Sequence, residues 1–267
     1  MSKSMLKYLA ILVFSTTLLG GCGLLPEKID ETAGWNQQRL YSEAKDAMSA
    51  GAYDRAIELL GKLEARYPIG RYAQQAQLEI AYAYYKSGDQ AQTIAAADRF
   101  IHLHPNHPYV DYAYYLKGLA TFNENLGLLG SLTNQDLSER DPKGARESFE
   151  TFKDLITRFP DSRYTEDAKV RMRYLVNSLA GYEVHVARYY YRRGAYVAAV
   201  NRASTALSDY PDTPATEEAL YLMARSYEAL GLTELSQDSD RVLQLNYPDS
   251  IYYHGGPKVE KPWWQIW

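Results

Sequence analysis

Four times in this chain a glycine is followed 17 residues later by a proline, and this spacing excludes most fold classes for the chain. The pairs are Gly51 and Pro68, Gly88 and Pro105, Gly194 and Pro211, and Gly231 and Pro248. Glycine adopts the left-handed conformation that ends many helices, and proline cannot continue a helical hydrogen-bond ladder. Each interval therefore predicts the turn and the second helix of a helix hairpin. A fifth segment, ending in Phe159-Pro160, follows the pattern without a glycine in register.

Small side chains recur at fixed distances from the same four glycines. Alanine lies seven residues before each of them, at Ala44, Ala81, Ala187 and Ala224. A small residue lies five residues after each, at Ala56, Thr93, Ala199 and Ser236. Helix axes approach closely only where the side chains between them are small. The register therefore predicts that the two helices of each hairpin cross at these positions.

The unit lengths resemble a tetratricopeptide array, whose repeat is about 34 residues long. Successive prolines at 68, 105, 160, 211 and 248 are separated by 37, 55, 51 and 37 residues. The first excess, 55 − 37 = 18, falls on residues 127–142, which are rich in turn-forming residues and predict an inserted loop. The second excess, 51 − 37 = 14, falls within residues 162–193, which contain no proline and predict a helix lengthened by about four turns. We expect an all-α solenoid of five hairpins over residues 35–250.

The first 21 residues have the composition of an export signal. Lys3 and Lys7 precede an apolar run, Tyr8 to Leu19, that is too short to span a bilayer. The run ends in Leu19-Gly20-Gly21-Cys22, which resembles the lipobox of bacterial lipoproteins. Cys22 is the only cysteine, and an unmodified thiol would be a liability in an oxidising compartment. We therefore predict a lipid on Cys22. The alternative is an ordinary secretory signal that contains a cysteine.

The lipoprotein resemblance also implies a destination. An Asp after the lipidated cysteine tends to retain lipoproteins in the inner membrane, and here the next residue is Gly23. The resemblance thus implies anchoring in the outer membrane, facing the periplasm. Residues 22–34 are expected to be the lipidated cysteine and a short tether.

Composition and motifs argue against several classes of function. The formal net charge is −4, and the charges are interleaved without the basic stripe that nucleic-acid binding requires. The chain contains no glycine-rich phosphate loop and no Gly-x-Ser-x-Gly elbow. Because repeat arrays bind through a concave face, we expect a binding scaffold without catalytic residues or cofactors, not an enzyme.

Two polar clusters are weighed as metal sites. His102, His104 and His107 straddle a predicted helix end without a cysteine or paired carboxylates nearby, so solvated histidines are favoured over a zinc site. Three acids of the inserted loop, Asp136, Glu139 and Asp141, do not have the spacing of a calcium-binding loop. We expect no metal.

Aromatic residues mark a candidate groove. The chain has 25 Tyr against 6 Phe, and the first helix of a tetratricopeptide hairpin lines the concave face. Counted from the close-packing positions, the inward aromatic side chains are Tyr41, Tyr82, Tyr85, Tyr112, Tyr115 and Phe122. These rings either face the groove or pack between neighbouring repeats. We expect several to be exposed, because many buried Tyr hydroxyls are hard to satisfy.

Together, the lipobox and the five hairpins resemble the BamD family of β-barrel assembly lipoproteins, also called YfiO or ComL. Stretches typical of the family span residues 36–248. They include Arg66-Tyr67-Pro68-Ile69-Gly70, Tyr82-Ala83-Tyr84-Tyr85-Lys86, Val197-Ala198-Ala199-Val200-Asn201-Arg202 and Asp209-Tyr210-Pro211-Asp212-Thr213. The Trp-rich tail, residues 250–267, has no counterpart in that pattern and is expected to be irregular.

The resemblance implies two binding regions. N-terminal repeats, residues 35–125, would bind unfolded precursors of outer-membrane β-barrels through the aromatic groove. C-terminal repeats, residues 143–249, would dock the periplasmic domains of BamA, with Arg202 and Asn201 as contacts, beyond the inserted loop at 126–142. BamC and BamE would be further partners. The alternative within the same architecture is a periplasmic scaffold that coordinates peptidoglycan enzymes or cell division.

Overall fold

The computed structural model describes residues 30–126 and 142–254, which form ten α-helices and a final 3-10 turn without any β-strand. The helices are α1 (Gln37–Ser49), α2 (Tyr53–Arg66), α3 (Arg71–Ser87), α4 (Gln90–Leu103), α5 (Val110–Leu126), α6 (Pro142–Arg158), α7 (Thr165–Arg192), α8 (Tyr196–Asp209), α9 (Ala215–Ala229) and α10 (Thr233–Asn246). The 3-10 turn covers Ile251–His254. Consecutive helices pair as five hairpins, which confirms the predicted all-α repeat architecture.

The glycine of each predicted turn ends the first helix as expected. Gly51, Gly88, Gly194 and Gly231 all have positive φ, between 74° and 81°. In the last hairpin the Gly231 amide donates to the Glu228 carbonyl at 3.0 Å, and the Leu232 amide donates to the Tyr227 carbonyl at 2.9 Å. These two bonds satisfy carbonyls that the helix end would leave unpaired.

The residue before each proline ends the second helix in one shared conformation. Tyr67, His104, Tyr210 and Tyr247 have φ between −136° and −132° and ψ between 55° and 67°. A proline disfavours helical backbone at the residue before it, so these four second helices stop at the same place.

The small residues lie where the helices cross. Ala44, Ala81, Ala187 and Ala224 are fully buried, as are Ala56, Thr93 and Ala199, and Ser236 is 7% exposed. In the third hairpin Gly118 takes this position, and a Cβ added there would lie 2.5 Å from Phe152 Cε1. The predicted crossing register is confirmed.

The long helix is α7, with 28 residues against 17 in α3. Its N-terminal half packs on α6 through Ala168 and Leu175, and its C-terminal half packs on α8 and α9 through Val184 and Ala187. One continuous helix therefore joins the third hairpin to the fifth. Among the described residues, no helix has the length and hydropathy that crossing a bilayer requires.

First helices also contact one another directly, α1 with α3, α3 with α5, and α7 with α9. They therefore line one side of the array. Three of the predicted features lie outside the described residues: the export signal with Cys22, most of the inserted loop with Asp136, Glu139 and Asp141, and the tail after His254.

Candidate protein-binding surface

The six predicted groove residues lie on the first helices, but none of them is exposed. Phe122 is 7% exposed, and Tyr41, Tyr82, Tyr85, Tyr112 and Tyr115 are half-buried. The expectation of several exposed rings is wrong. The rings pack against core clusters that neighbouring helices form.

Tyr41 links the first two hairpins. Its hydroxyl donates to Glu79 Oε1 at 2.7 Å, and Lys45 Nζ approaches the same oxygen at 3.0 Å. Its ring meets Tyr72 edge-on, with centroids 5.4 Å apart. Burial and the bond to Glu79 raise the pKa of Tyr41, so the hydroxyl remains a donor at any physiological pH.

Tyr115 makes the corresponding link from α5 to α7. Its hydroxyl donates to Asp167 Oδ2 at 2.7 Å, and its ring stacks on Tyr164 at 4.5 Å. Burial, followed by the bond to Asp167, raises the pKa of Tyr115 to about 12. The Tyr112 ring lies 5.3 Å from the same Tyr164 ring. The two tyrosines thus form part of the junction between the third and fourth hairpins.

Phe122 lies in the core of the same junction. Its ring is 6.3 Å from Phe152 and 5.7 Å from Tyr174, and the Arg171 guanidinium lies 4.9 Å from its centroid. We therefore remove Phe122 from the candidate contacts. Its position four residues after Gly118 places it on the inner side of the helix, but α6 and α7 cover it.

Tyr82 and Tyr85 lie one turn apart on α3. Tyr82 packs against the cluster that contains Met48 of the first hairpin and against the cluster that contains Leu116 of the third. Tyr85 packs against the Leu116 cluster as well as the cluster around Phe152. Both side chains thus contact core clusters shared by several helices and remain half-buried.

Two exposed apolar side chains lie in the turns between the first three hairpins, and neither is among the residues predicted from the sequence. Ile69 is 90% exposed and Tyr109 is 61% exposed. Both follow a proline directly, at Pro68 and Pro108. A large apolar residue in a connecting turn has no helix to pack on, and that signal was available in the sequence. Exposed apolar side chains of this kind are candidate contacts for a protein partner.

The nearby histidines contribute to packing. His104 Nε2 lies 2.7 Å from Gln77 Oε1, and the rings of His104 and His107 lie 5.1 and 5.2 Å from Phe100. Burial, together with the neighbouring His104, lowers the pKa of His107. Within the described ranges, no three His, Cys, Asp or Glu side chains are arranged to hold a metal ion.

Arg202 and Asn201 are exposed on α8, but Arg202 has a partner in its own chain. Its Nη1 lies 3.0 Å from Oε2 of Glu183, whose side chain is 2% exposed. Arg146 Nη2 approaches the other oxygen of Glu183 at 3.7 Å. The hydrogen bond to Glu183 raises the pKa of Arg202. Arg202 of α8 therefore neutralises a buried carboxylate on α7, a role that the sequence pattern did not indicate.

Sequence comparison relates the chain to known proteins over nearly its whole length. It matches the family described as YfiO, outer membrane lipoprotein, over residues 34–243. It is 44% identical to the outer membrane protein assembly factor BamD of Neisseria meningitidis serogroup A, with 92% of each chain covered. The protein of that name from Vibrio cholerae is 38% identical, with 88% of this chain and 96% of the relative covered. Among solved structures, a kinesin light chain of Podosopora anserina with TPR-like repeats has a TM-score of 0.37, at 14% identity over 80% of this chain and 96% of that one.

Proposed function

The chain belongs to the YfiO family of outer membrane lipoproteins, and on that premise we propose that it is a lipid-anchored subunit of the β-barrel assembly machinery. The observation that carries the proposal is the likeness to an assembly factor over 92% of both chains. Members of this family are assembly factors, so the chain is not an enzyme. Its proposed partners are unfolded outer-membrane protein precursors, the periplasmic domains of BamA, and the lipoproteins BamC and BamE. The proposal requires no cofactor beyond the lipid on Cys22.

The anchor is tested at the two residues of the lipobox junction. Cys22→Ser should leave the protein in the soluble fraction after a salt wash, because no acyl chain then holds it on the bilayer. Gly23→Asp is the matched variant and should move a still lipidated protein to the inner membrane. Membrane fractionation measures both. A Cys22→Ser protein that still sediments with the outer membrane would rule out the lipid as its anchor.

The proposed client surface lies on the first three hairpins. It combines the half-buried Tyr82 and Tyr85 of α3 with the exposed side chains of Ile69 and Tyr109 in the turns between hairpins. Barrel precursors are unfolded chains with alternating apolar and aromatic residues. Dispersed aromatic and apolar contacts suit such a partner, because each contributes little and release stays easy.

Site-specific photocrosslinking tests where the client binds. A photoreactive phenylalanine replaces Ile69, Tyr82, Tyr85 or Tyr109 in turn, and Leu245, which is 76% exposed in the last hairpin, is the control. A peptide with the C-terminal sequence of a barrel protein should crosslink at the first four positions and not at position 245. Crosslinks confined to the fourth and fifth hairpins would locate the client site at the opposite end of the array.

Ile69 gives the energetic test of the same surface. Ile69→Asp removes an apolar contact that the fold does not use, so peptide binding should weaken by about 1–3 kcal/mol, the contribution of burying such a side chain. Leu245→Asp makes the same kind of change at the far end and should leave peptide affinity unchanged. Titration calorimetry measures both. Equal losses in the two variants would contradict the assignment.

A further inference from the structure

The last helix differs from the other second helices along one stripe of side chains. The stripe consists of the residues 13, 6 and 3 positions before the proline that closes each hairpin, and these positions lie within about 80° of one another around a helix. On α2 they are Arg55, Lys62 and Ala65, and on α4 they are Gln92, Arg99 and His102. On α6 they are Glu147, Asp154 and Thr157, and on α8 they are Ala198, Thr205 and Ser208. On α10 all three are large and apolar, namely Leu235, Val242 and Leu245.

Solvent reaches all three apolar side chains of α10. Leu235 is 45% exposed, Val242 is 41% exposed and Leu245 is 76% exposed. Together they extend over about 15 Å of the helix. Apolar residues that recur along one face are those that a helix normally buries, and an exposed apolar patch marks an interaction surface.

The stripe is not the surface that a following hairpin would cover. On the four preceding second helices that surface includes the residue eight positions before the proline, which is fully buried: Leu60, Ala97, Phe152 and Ala203. Each of these residues shares a core cluster with the following first helix.

The same position on α10 is polar. It is Asp240, which pairs with Arg225 of α9, and Gln244 is exposed one turn later. The last helix is therefore polar where its counterparts contact the next hairpin and apolar where they are polar or small. This exchange indicates a contact on the stripe with something other than a further repeat.

Charges on α10 indicate the kind of partner. The helix contains Glu234, Asp238, Asp240 and Arg241, a net charge of −2. Asp238 lies between Leu235 and Val242 and is exposed, as is its ion-pair partner Arg241. Two copies of the chain would bring two such negative faces together, and an anionic bilayer would repel them. Charge complementarity therefore favours a basic partner.

We propose that the stripe of Leu235, Val242 and Leu245 docks an amphipathic helix of a partner protein, with aliphatic residues at heptad spacing and Lys or Arg beside them. Helices pack on one another through side-chain ridges that recur at this spacing. The stripe supplies such a ridge, and Asp238 accepts the partner's cation. The docking site is independent of the lipid anchor and of the client surface proposed above.

Peptide binding to the full chain tests the stripe. The probe is a fluorescein-labelled synthetic helix with Leu at heptad positions a and d and Lys at positions e and g. Leu235→Ala, Val242→Thr and Leu245→Ser together give α10 the stripe of α8, which a second helix of this fold already carries. Fluorescence anisotropy should show binding weakened by about tenfold or more, because the apolar contacts are lost.

The matched control removes the same number of exposed apolar side chains at the other end of the array. Ile69→Ser, Leu103→Ser and Tyr109→Ser change residues that are between 50% and 90% exposed, and should leave the affinity for the Lys peptide unchanged. Equal losses in the two triple variants would overturn the proposal, as would a parent protein that does not bind the peptide. Circular dichroism verifies that each variant is folded.

Asp238 tests the charge of the partner. Asp238→Lys places a cation beside the stripe, so binding of the Lys peptide should weaken severalfold, and binding of a peptide with Glu at positions e and g should strengthen. Asp54→Lys makes the same change on the exposed surface of α2 and should alter neither affinity. A parent protein that binds both peptides equally would contradict the basic partner.

Photocrosslinking in native membranes tests whether such a partner occupies the stripe. A photoreactive phenylalanine replaces Val242 in the full chain, and Asp154, at the same register of α6, is the control position. Mass spectrometry should identify, at position 242 alone, a segment of another protein with Lys or Arg beside apolar residues at helical spacing. Adducts to a second copy of this chain, to its own sequence or to lipid would overturn the proposal, as would equal yields at the two positions or no adduct.

Discussion

At the scale of single residues, the buried carboxylate of Glu183 determines what Arg202 can do. A buried charge without a partner is costly, so Arg202 and Arg146 hold Glu183 from the two helices that flank α7. The Arg202 side chain is nevertheless 44% exposed, which leaves donors available to a partner. We infer that Glu183 fixes the guanidinium in place and that docking to BamA uses its outer edge.

Reversing the charge of Arg202 should therefore affect folding as well as docking. Arg202→Glu leaves Glu183 beside a second carboxylate, and we expect a loss of about 3 kcal/mol in the free energy of unfolding, as for a broken buried pair. Arg241→Glu is the control, because its ion pair with Asp238 is exposed on both sides and such pairs contribute about 0–1 kcal/mol. Urea denaturation measures the difference. Equal stabilities would show that Glu183 does not depend on Arg202.

Docking by itself is better tested at Asn201, which has no part in the buried pair. Asn201→Glu adds a negative charge next to Arg202 and should weaken co-purification with BamA while the urea midpoint stays unchanged. Charges at the rim of an interface act mainly on association. Unaltered BamA recovery, with stability retained, would remove this face of α8 from the docking surface.

At the scale of helices, small residues decide how closely two helices approach. Gly118 lies where α5 crosses α6, and a Cβ there would meet the Phe152 ring at 2.5 Å. Gly61, in the middle of α2, has nothing within 4 Å of its virtual Cβ. Close packing therefore requires glycine at position 118 but not at position 61.

The two glycines predict opposite effects of one substitution. Gly118→Ala should destabilise the protein by about 1–3 kcal/mol, because Phe152 is fully buried and overpacking forces it from its position. Gly61→Ala should stabilise the protein by about 0.5–1 kcal/mol, because alanine lowers the conformational entropy of the unfolded chain and has a higher helix propensity than glycine. Thermal denaturation followed by circular dichroism distinguishes them. A stabilising Gly118→Ala would mean that the α5 and α6 axes can separate at no cost.

At the scale of the molecule, contacts run mainly between neighbouring hairpins, and α7 joins the third hairpin to the fifth. In such an array the stability is close to a sum of local terms. A defect should therefore spread to adjacent hairpins and fade beyond them.

Phe100→Ala tests this locality. Phe100 is fully buried between α3 and α5, against Leu78 and Val110, and its truncation should cost about 3–5 kcal/mol. Hydrogen exchange measured by mass spectrometry should rise in α3, α4 and α5 and remain unchanged in α9 and α10. A uniform rise along the chain would show that the array unfolds as one cooperative unit.

The turn of each hairpin and the contact positions between its two helices follow from local sequence signals. Gly88 and its equivalents end the first helices through their own backbone angles, and the prolines end the second helices through the residue before them. Both effects are local, so they can be predicted from the sequence. The burial of the regularly spaced alanines can also be predicted, because helix geometry fixes which side of the helix a residue faces.

The neighbours that cover the inward-facing side chains come from distant parts of the chain, and they became clear from the packed helices. Tyr115 donates to Asp167, 52 residues away, and Arg202 meets a carboxylate on the preceding helix. Helical periodicity gives the direction of a side chain, but its exposure depends on the neighbour that packs there. That neighbour comes from a distant part of the chain, which no local pattern encodes. For this reason helical periodicity indicated which helices carry the six aromatic residues but misjudged how exposed those residues are.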